Sequence, residues 1–203
     1  MLTLEIDPER PDPRKIGQAV KILEDHGVAL YPTDTVYALG GAVDSRRAVE
    51  RIYRLKQMDA RRPLAIIVGE LREAAKYGMI SDFAYRQMRR LTPGPYTFIL
   101  AASREVPRVL LDKRRQIGIR IPDSRICVEL VRQLGKPILT SSAVPPGSDE
   151  ACHDVEEGKE AWPSGIDVAI DGGMTAGKVS TVVSLIEDRI EIIRAGLGAD
   201  ELI

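Results

Sequence analysis

Residues 172–179 read GGMTAGKV, one residue away from the G-x-x-x-x-G-K-[ST] loop that cradles phosphates through its backbone N–H groups. Val179 stands where that loop needs a hydroxyl for Mg²⁺, and the STVVSLI that follows is strand-like rather than a helix start. The segment is expected to be a glycine-rich connection between two strands. A nucleophile finds no better support: there is no G-x-S-x-G elbow, and Cys152 and His153 are neighbours in an acidic loop rather than a spaced nucleophile and base. Two cysteines and two histidines offer little for a disulfide framework or a His/Cys metal site. No residue is assignable as a nucleophile, and no metal ligand is expected from the protein. Hydroxyls and cations do recur at the ends of apolar runs, in 31–41, 56–64, 116–122 and 140–142. Such groups suit a phosphate-bearing ligand and a chemistry of positioning and charge stabilisation, as in nucleotidyl transfer.

The 203 residues carry a net charge of −1, which argues against a polyanionic partner until the chain is divided. Residues 46–125 hold 19 basic and 8 acidic side chains, mostly arginines on the basic side, while both flanks are acidic. This asymmetry marks the central block as the expected face for anionic ligands. The N-terminus, MLTLEIDPERPDPRK, is acidic and proline-rich and is not read as a leader, and no run of about 18 apolar residues suggests a membrane span. The expected compartment is the cytoplasm, with no membrane partner.

Elements that could position these groups follow from periodicity and punctuation. Helices are expected over 13–26, 46–55, 71–77, 81–91 and 124–134, with a weaker one at 154–161 and a short helical link at 106–112. Strands are expected at 28–31, 36–41, 64–68, 96–101, 116–121, 138–141, 168–171, 180–186 and 190–194, the last two as a hairpin. Alternation of strands and helices with late hairpins predicts an α/β fold with a twisted mixed parallel/antiparallel sheet and flanking helices, one domain over 1–203.

The same segments carry a resemblance. YPTDTVYALGG, the K-x-x-x-x-x-x-P-L spacing of 56–64, LTPGPYTFIL, IGIRIPD, ILTSSA, STVVSL and IIRAG occur in the order of the YrdC/YciO family of threonylcarbamoyl-AMP synthase-like proteins. PYTFIL and the serine motif resemble the YciO branch. The resemblance implies a twisted sheet with a basic concave face, and ATP with Mg²⁺, L-threonine and bicarbonate as reactants giving threonylcarbamoyl-AMP and pyrophosphate for tRNA modification. It places Thr35, Arg120 and Ser180 on the threonine, and Lys56, Ser142 and Arg194 on the nucleotide. Four positions depart from the family pattern: Met58 replaces an arginine, Ile67 a histidine, Val144 an asparagine and Cys152 a threonine. A lost charge-assisted phosphate contact costs about 1.5–3 kcal/mol, so Arg61 or Arg62 is expected to reach the nucleotide in place of Met58. The alternative is a non-catalytic protein that binds double-stranded RNA, as in rRNA or tRNA, by backbone and shape, since only nine aromatic residues are present for stacking.

Overall fold

Five helices among the described residues begin where the sequence supplies a short oxygen-bearing side chain. In the computed structural model, which describes residues 1–59, 63–111 and 113–202, the Asp12 side chain accepts from Arg14 N–H at the start of α1 (Pro13–Glu24). Ser45 accepts from Ala48 N–H to open α2 (Arg46–Leu55). After α3 (Leu71–Tyr77), Ser81 caps α4 (Asp82–Leu91) and Ser124 caps α5 (Arg125–Leu134). Each cap satisfies an N–H that helix geometry leaves without a partner, worth about 1 kcal/mol. Gly135 ends α5 at φ 68°, a left-handed turn that costs glycine little. Asp154 caps the short α6 (Val155–Ala161).

Eleven strands form one mixed sheet: β1 (Leu2–Glu5), β2 (Ala29–Pro32), β3 (Tyr37–Ala42), β4 (Ala65–Ile67), β5 (Gly78–Met79), β6 (Tyr96–Ala102), β7 (Gln116–Arg120), β8 (Ile138–Ser142), β9 (Val168–Asp171), β10 (Thr181–Ser184) and β11 (Glu191–Arg194). Their order is β1-β9-β2-β3-β8-β4-β7-β6-β10-β11, with β5 on β6. Pairs such as β4–β7 and β6–β10 are parallel, while β2–β3, β3–β8, β6–β7 and the β10–β11 hairpin are antiparallel. β1 and β5 are strands that the sequence reading does not place: β1 buries only Leu4 and β5 has two residues, so neither shows a period. The expected link at 106–112 contracts to a 3₁₀ turn, Arg108–Leu110.

Alternation along the strands divides the apolar residues between two cores. On one face Leu30, Leu39, Ile66, Phe98 and Ile119 meet α2, α4 and α6. On the other, Tyr31, Ala38, Ile67 and Ile138 meet Ile16, Val20 and Leu23 of α1 and Ile126, Leu130 and Leu134 of α5. Burying one such side chain stabilises by about 1.5–3 kcal/mol. The α1/α5 layer stops before the β6–β10 half of its face, where Ala65, Ile99 and Val182 are only half-buried. That open half is the floor of the candidate site.

Candidate substrate cleft

Residues directly opposite each other in a ladder point to the same face. Ala65 lies opposite Gly118 and Thr140, and Thr97 opposite Arg120 and Val182, so small and polar side chains make the floor. Gly118 keeps it low: a Cβ there would lie 3.0 Å from Ala65 Cβ and 3.3 Å from Thr97 Cγ2.

The turn after β2 folds over this floor. Thr33 Oγ1 donates to the Val36 carbonyl at 2.7 Å and accepts from the Thr35 and Val36 N–H groups, which tightens the turn and aims Thr35 inward. Arg120 Nη2 donates to Thr35 Oγ1 at 2.8 Å and to Asp34 Oδ1 at 2.5 Å. The guanidinium is buried, and its Nε–H has no acceptor among the described residues. A buried N–H on a charged group without a partner is costly, and an anionic ligand removes that cost. Beside it, Ser180 Oγ lies 3.1 Å from Thr97 Oγ1 and accepts from Arg194 Nη2 at 3.2 Å, while the Ser180 carbonyl accepts from the same nitrogen at 2.8 Å.

At the β8 side, Lys56 follows α2 and donates from Nζ to Ser141 Oγ at 2.7 Å and to the Ser142 carbonyl at 2.5 Å. Tyr31 Oη donates to Thr140 Oγ1 at 2.7 Å, and burial pushes its phenol above the ordinary tyrosine range. The expected residues thus fall into two groups, Thr35–Arg120–Ser180–Arg194 and Lys56–Ser142. Arg61 and Arg62 lie outside the described residues.

The glycine-rich segment 172–179 joins β9 to β10, as its sequence suggests, but it also belongs to the site. Gly177 N–H donates to the Thr35 carbonyl at 2.9 Å, and Tyr37 Oη bridges Gly172 N–H and the Gly173 carbonyl. Thr140 belongs to the expected hydroxyl segment 140–142, whereas Thr97 shows itself only once its ladder partner is known to be Arg120.

Among the described basic residues of 46–125, Arg120 lies in the cleft and Lys56 bonds Ser141 and Ser142 at the end of β8, whereas Arg47 and Arg54 of α2 and Arg86, Arg89 and Arg90 of α4 are exposed on helices of the opposite face. Amphipathic helices turn their charges away from the sheet they cover, so these five arginines do not line the cleft. The four departures also have structural contexts. Ile67 packs in the α1/α5 core, Met58 packs against the opposite core, and Val144 is half-buried. Cys152 is buried between backbone bonds to Tyr37 and Ala143, with its thiol pushed up to about 11 by burial.

No helix among the described residues is long and apolar enough to cross a membrane. A family model described as telomere recombination, the Sua5–YciO–YrdC family, matches residues 21–196. The uncharacterized protein YciO of Escherichia coli K12 is 40% identical over 194 residues, covering 95% of this chain and 94% of that protein. A threonylcarbamoyl-AMP synthase of Mus musculus is 32% identical over 190 residues, covering 90% and 67%. The E. coli YciO crystal structure superposes with a TM-score of 0.93 at 39% identity, covering 98% of this chain and 97% of that one. P. abyssi Sua5 complexed with L-threonine does so at 0.88 and 28% identity, covering 97% of this chain and 58% of that one.

Proposed function

This chain belongs to the Sua5–YciO–YrdC family, and from that premise we propose that its cleft makes a threonylcarbamoyl adenylate from ATP, L-threonine and bicarbonate, in the cytoplasm, for tRNA modification. The observation that carries the reading is the buried Arg120 guanidinium, held by Asp34 and Thr35 with its Nε–H unsatisfied. It suits a carboxylate, which takes two N–H donors from one arginine. Support also comes from threonylcarbamoyl-AMP synthases among the relatives and from the threonine-bound Sua5 structure of the same fold.

The chemistry needs no protein nucleophile. The threonine amine adds to CO₂ from bicarbonate and loses a proton, giving a carbamate. A carbamate oxygen then forms a bond to the α-phosphorus of ATP as the bond to pyrophosphate breaks. Arg120, Thr35 and Ser180 orient the threonine portion, and Lys56, Ser142 and Arg194 face the nucleotide, so that charge building on the phosphoryl oxygens meets fixed cations. Mg²⁺ would ride on the phosphates of ATP and neutralise them, since Asp34, the carboxylate against Arg120, is already engaged.

Pyrophosphate release measured with ATP, Mg²⁺, threonine and bicarbonate tests the reading. Release that requires threonine and bicarbonate and falls in Arg120→Gln is the expected result; release no greater than in Lys56→Ala overturns it. A second reading, binding of double-stranded RNA, is favoured by the exposed arginines on the face away from the cleft.

A further inference from the structure

The glycine-rich segment 172–179 keeps the lysine of a phosphate-binding loop, Lys178, without that loop's hydroxyl or its following helix. Its backbone donors are largely spent within the protein. Gly172 N–H donates to Tyr37 Oη at 3.2 Å and Gly173 N–H to Asp171 Oδ1 at 3.0 Å. Thr175 N–H donates to the His153 carbonyl and Gly177 N–H to the Thr35 carbonyl, each at 2.9 Å. These four N–H groups are not free to cradle a phosphate. The side chain of Lys178 is what the segment can still offer an anion.

The backbone on either side of Lys178 is fastened to the site. Gly177, at φ 73°, holds the preceding residue to Thr35, and the Val179 carbonyl accepts from Leu197 N–H at 2.8 Å. Ser180 follows, bonded to Arg194. The lysine is thus carried between Thr35, proposed above to face threonine, and Arg194, proposed to face the nucleotide. It is exposed and forms no ion pair among the described residues. The carboxylates nearest in the bonding pattern are taken: Asp171 accepts from Gly173, and Glu157 pairs with His153. A compact ammonium on a flexible four-carbon stem reaches a phosphate as a point charge. The cleft has use for one. Arg120 is engaged by Asp34, and Met58 packs against an apolar core where the family pattern has an arginine. Lys56 and Arg194 then face a triphosphate whose negative charge exceeds their own.

We propose that Lys178 binds the β- and γ-phosphates of ATP and supplies the cation that position 58 lacks. As the carbamate oxygen bonds to the α-phosphorus and the bond to pyrophosphate breaks, negative charge grows on the departing pyrophosphate. The ammonium meets that charge with no proton changing hands. The identity of the ligand rests on the reaction proposed above; the placement of the lysine does not.

Equilibrium dialysis of the full chain against radiolabelled ATP or AMP, both with Mg²⁺, tests this beside the pyrophosphate assay. Lys178→Ala is expected to weaken ATP binding about tenfold or more and to leave AMP binding unchanged. Lys178→Arg is expected to recover most of the loss, and Lys178→Gln none of it. Lys21→Ala, which removes an exposed lysine from α1, is expected to bind ATP as wild type. In pyrophosphate release, Lys178→Ala is expected to lower kcat/KM for ATP about tenfold or more with KM for threonine unchanged. A melting curve checks that each variant is folded, and Lys178→Gln serves if Lys178→Ala is not. Wild-type ATP binding in Lys178→Ala, equal weakening of ATP and AMP, or the same loss in Lys21→Ala overturns the proposal. Lys178-dependent ATP binding without threonine-dependent pyrophosphate release overturns the cleft's proposed reaction and supports the lysine's role. Threonine-dependent release with unchanged ATP binding in Lys178→Ala overturns the lysine's role alone, and a wild-type chain that binds no ATP overturns both.

Discussion

Arg120 Nη2 donates to Asp34 Oδ1 at 2.5 Å, with the two side chains only 6% and 12% exposed. Breaking such a pair leaves a charge stranded away from water, so Asp34→Ala is expected to lower unfolding stability by about 3–5 kcal/mol. Asp34→Asn retains an acceptor oxygen and is expected to lose less. Urea unfolding of both variants measures this, and equal losses would show that the acceptor does not matter.

Lys56 joins the end of α2 to β8 through Ser141 and Ser142. If it also meets the nucleotide, Lys56→Ala removes a charge-assisted contact of about 1.5–3 kcal/mol, a loss of about 10- to 150-fold in kcat/KM for ATP. Lys56→Arg, which keeps charge but not shape, is expected to recover part of it. Steady-state pyrophosphate release with varied ATP reads both.

Alkaline pH is expected to destabilise the fold. Burial pushes the Cys127 thiol from 9.0 up to about 12 and the Cys152 thiol up to about 11. Because the folded values lie above the unfolded one, the stabilisation is complete below about pH 9 and is lost as pH climbs toward 11–12. Urea midpoints measured from neutral pH upward check the sign, and Cys127→Ala is expected to fall less steeply over that window.

Gly118 sets the depth of the floor. Gly118→Val places methyl groups against Ala65 and Thr97, with an expected cost of about 1–3 kcal/mol from overpacking. Threonine binding, followed by calorimetry, is expected to weaken by more than that stability change alone accounts for, since the added groups also occupy ligand space.

Local signals carried the sequence reading well. Asp12, Ser45, Ser81 and Ser124 each announce a helix start by their own chemistry, and each caps one. Residues 28–31 and 116–121 read as strands because their apolar runs are short and bounded. Non-local facts were less visible. Nothing in the spacing of Thr35 and Arg120 shows that the 33–36 turn folds back over the sheet to bring them together. A charge count along 46–125 also cannot tell which side of the sheet a helix covers, and the exposed arginines of α2 and α4 lie on the face opposite the cleft. Met58 and Ile67 are apolar in places where the family pattern has donors; Met58 packs against one apolar core and Ile67 lies within the other. Their replacement is a matter of packing as much as of ligand contact.

The strand order has a kinetic consequence. β9 lies between β1 and β2, Asp167 accepts the Val28 N–H across 139 residues, and Gly177 N–H secures Thr35. A nascent chain therefore exposes the 33–36 turn long before the residues that fasten it have been synthesised. Closing so long a loop costs entropy that grows only slowly with length, but the search delays assembly. Ligand-binding capacity consequently arises near the end of folding, and a polypeptide truncated before β9 holds most of the helices without a finished cleft.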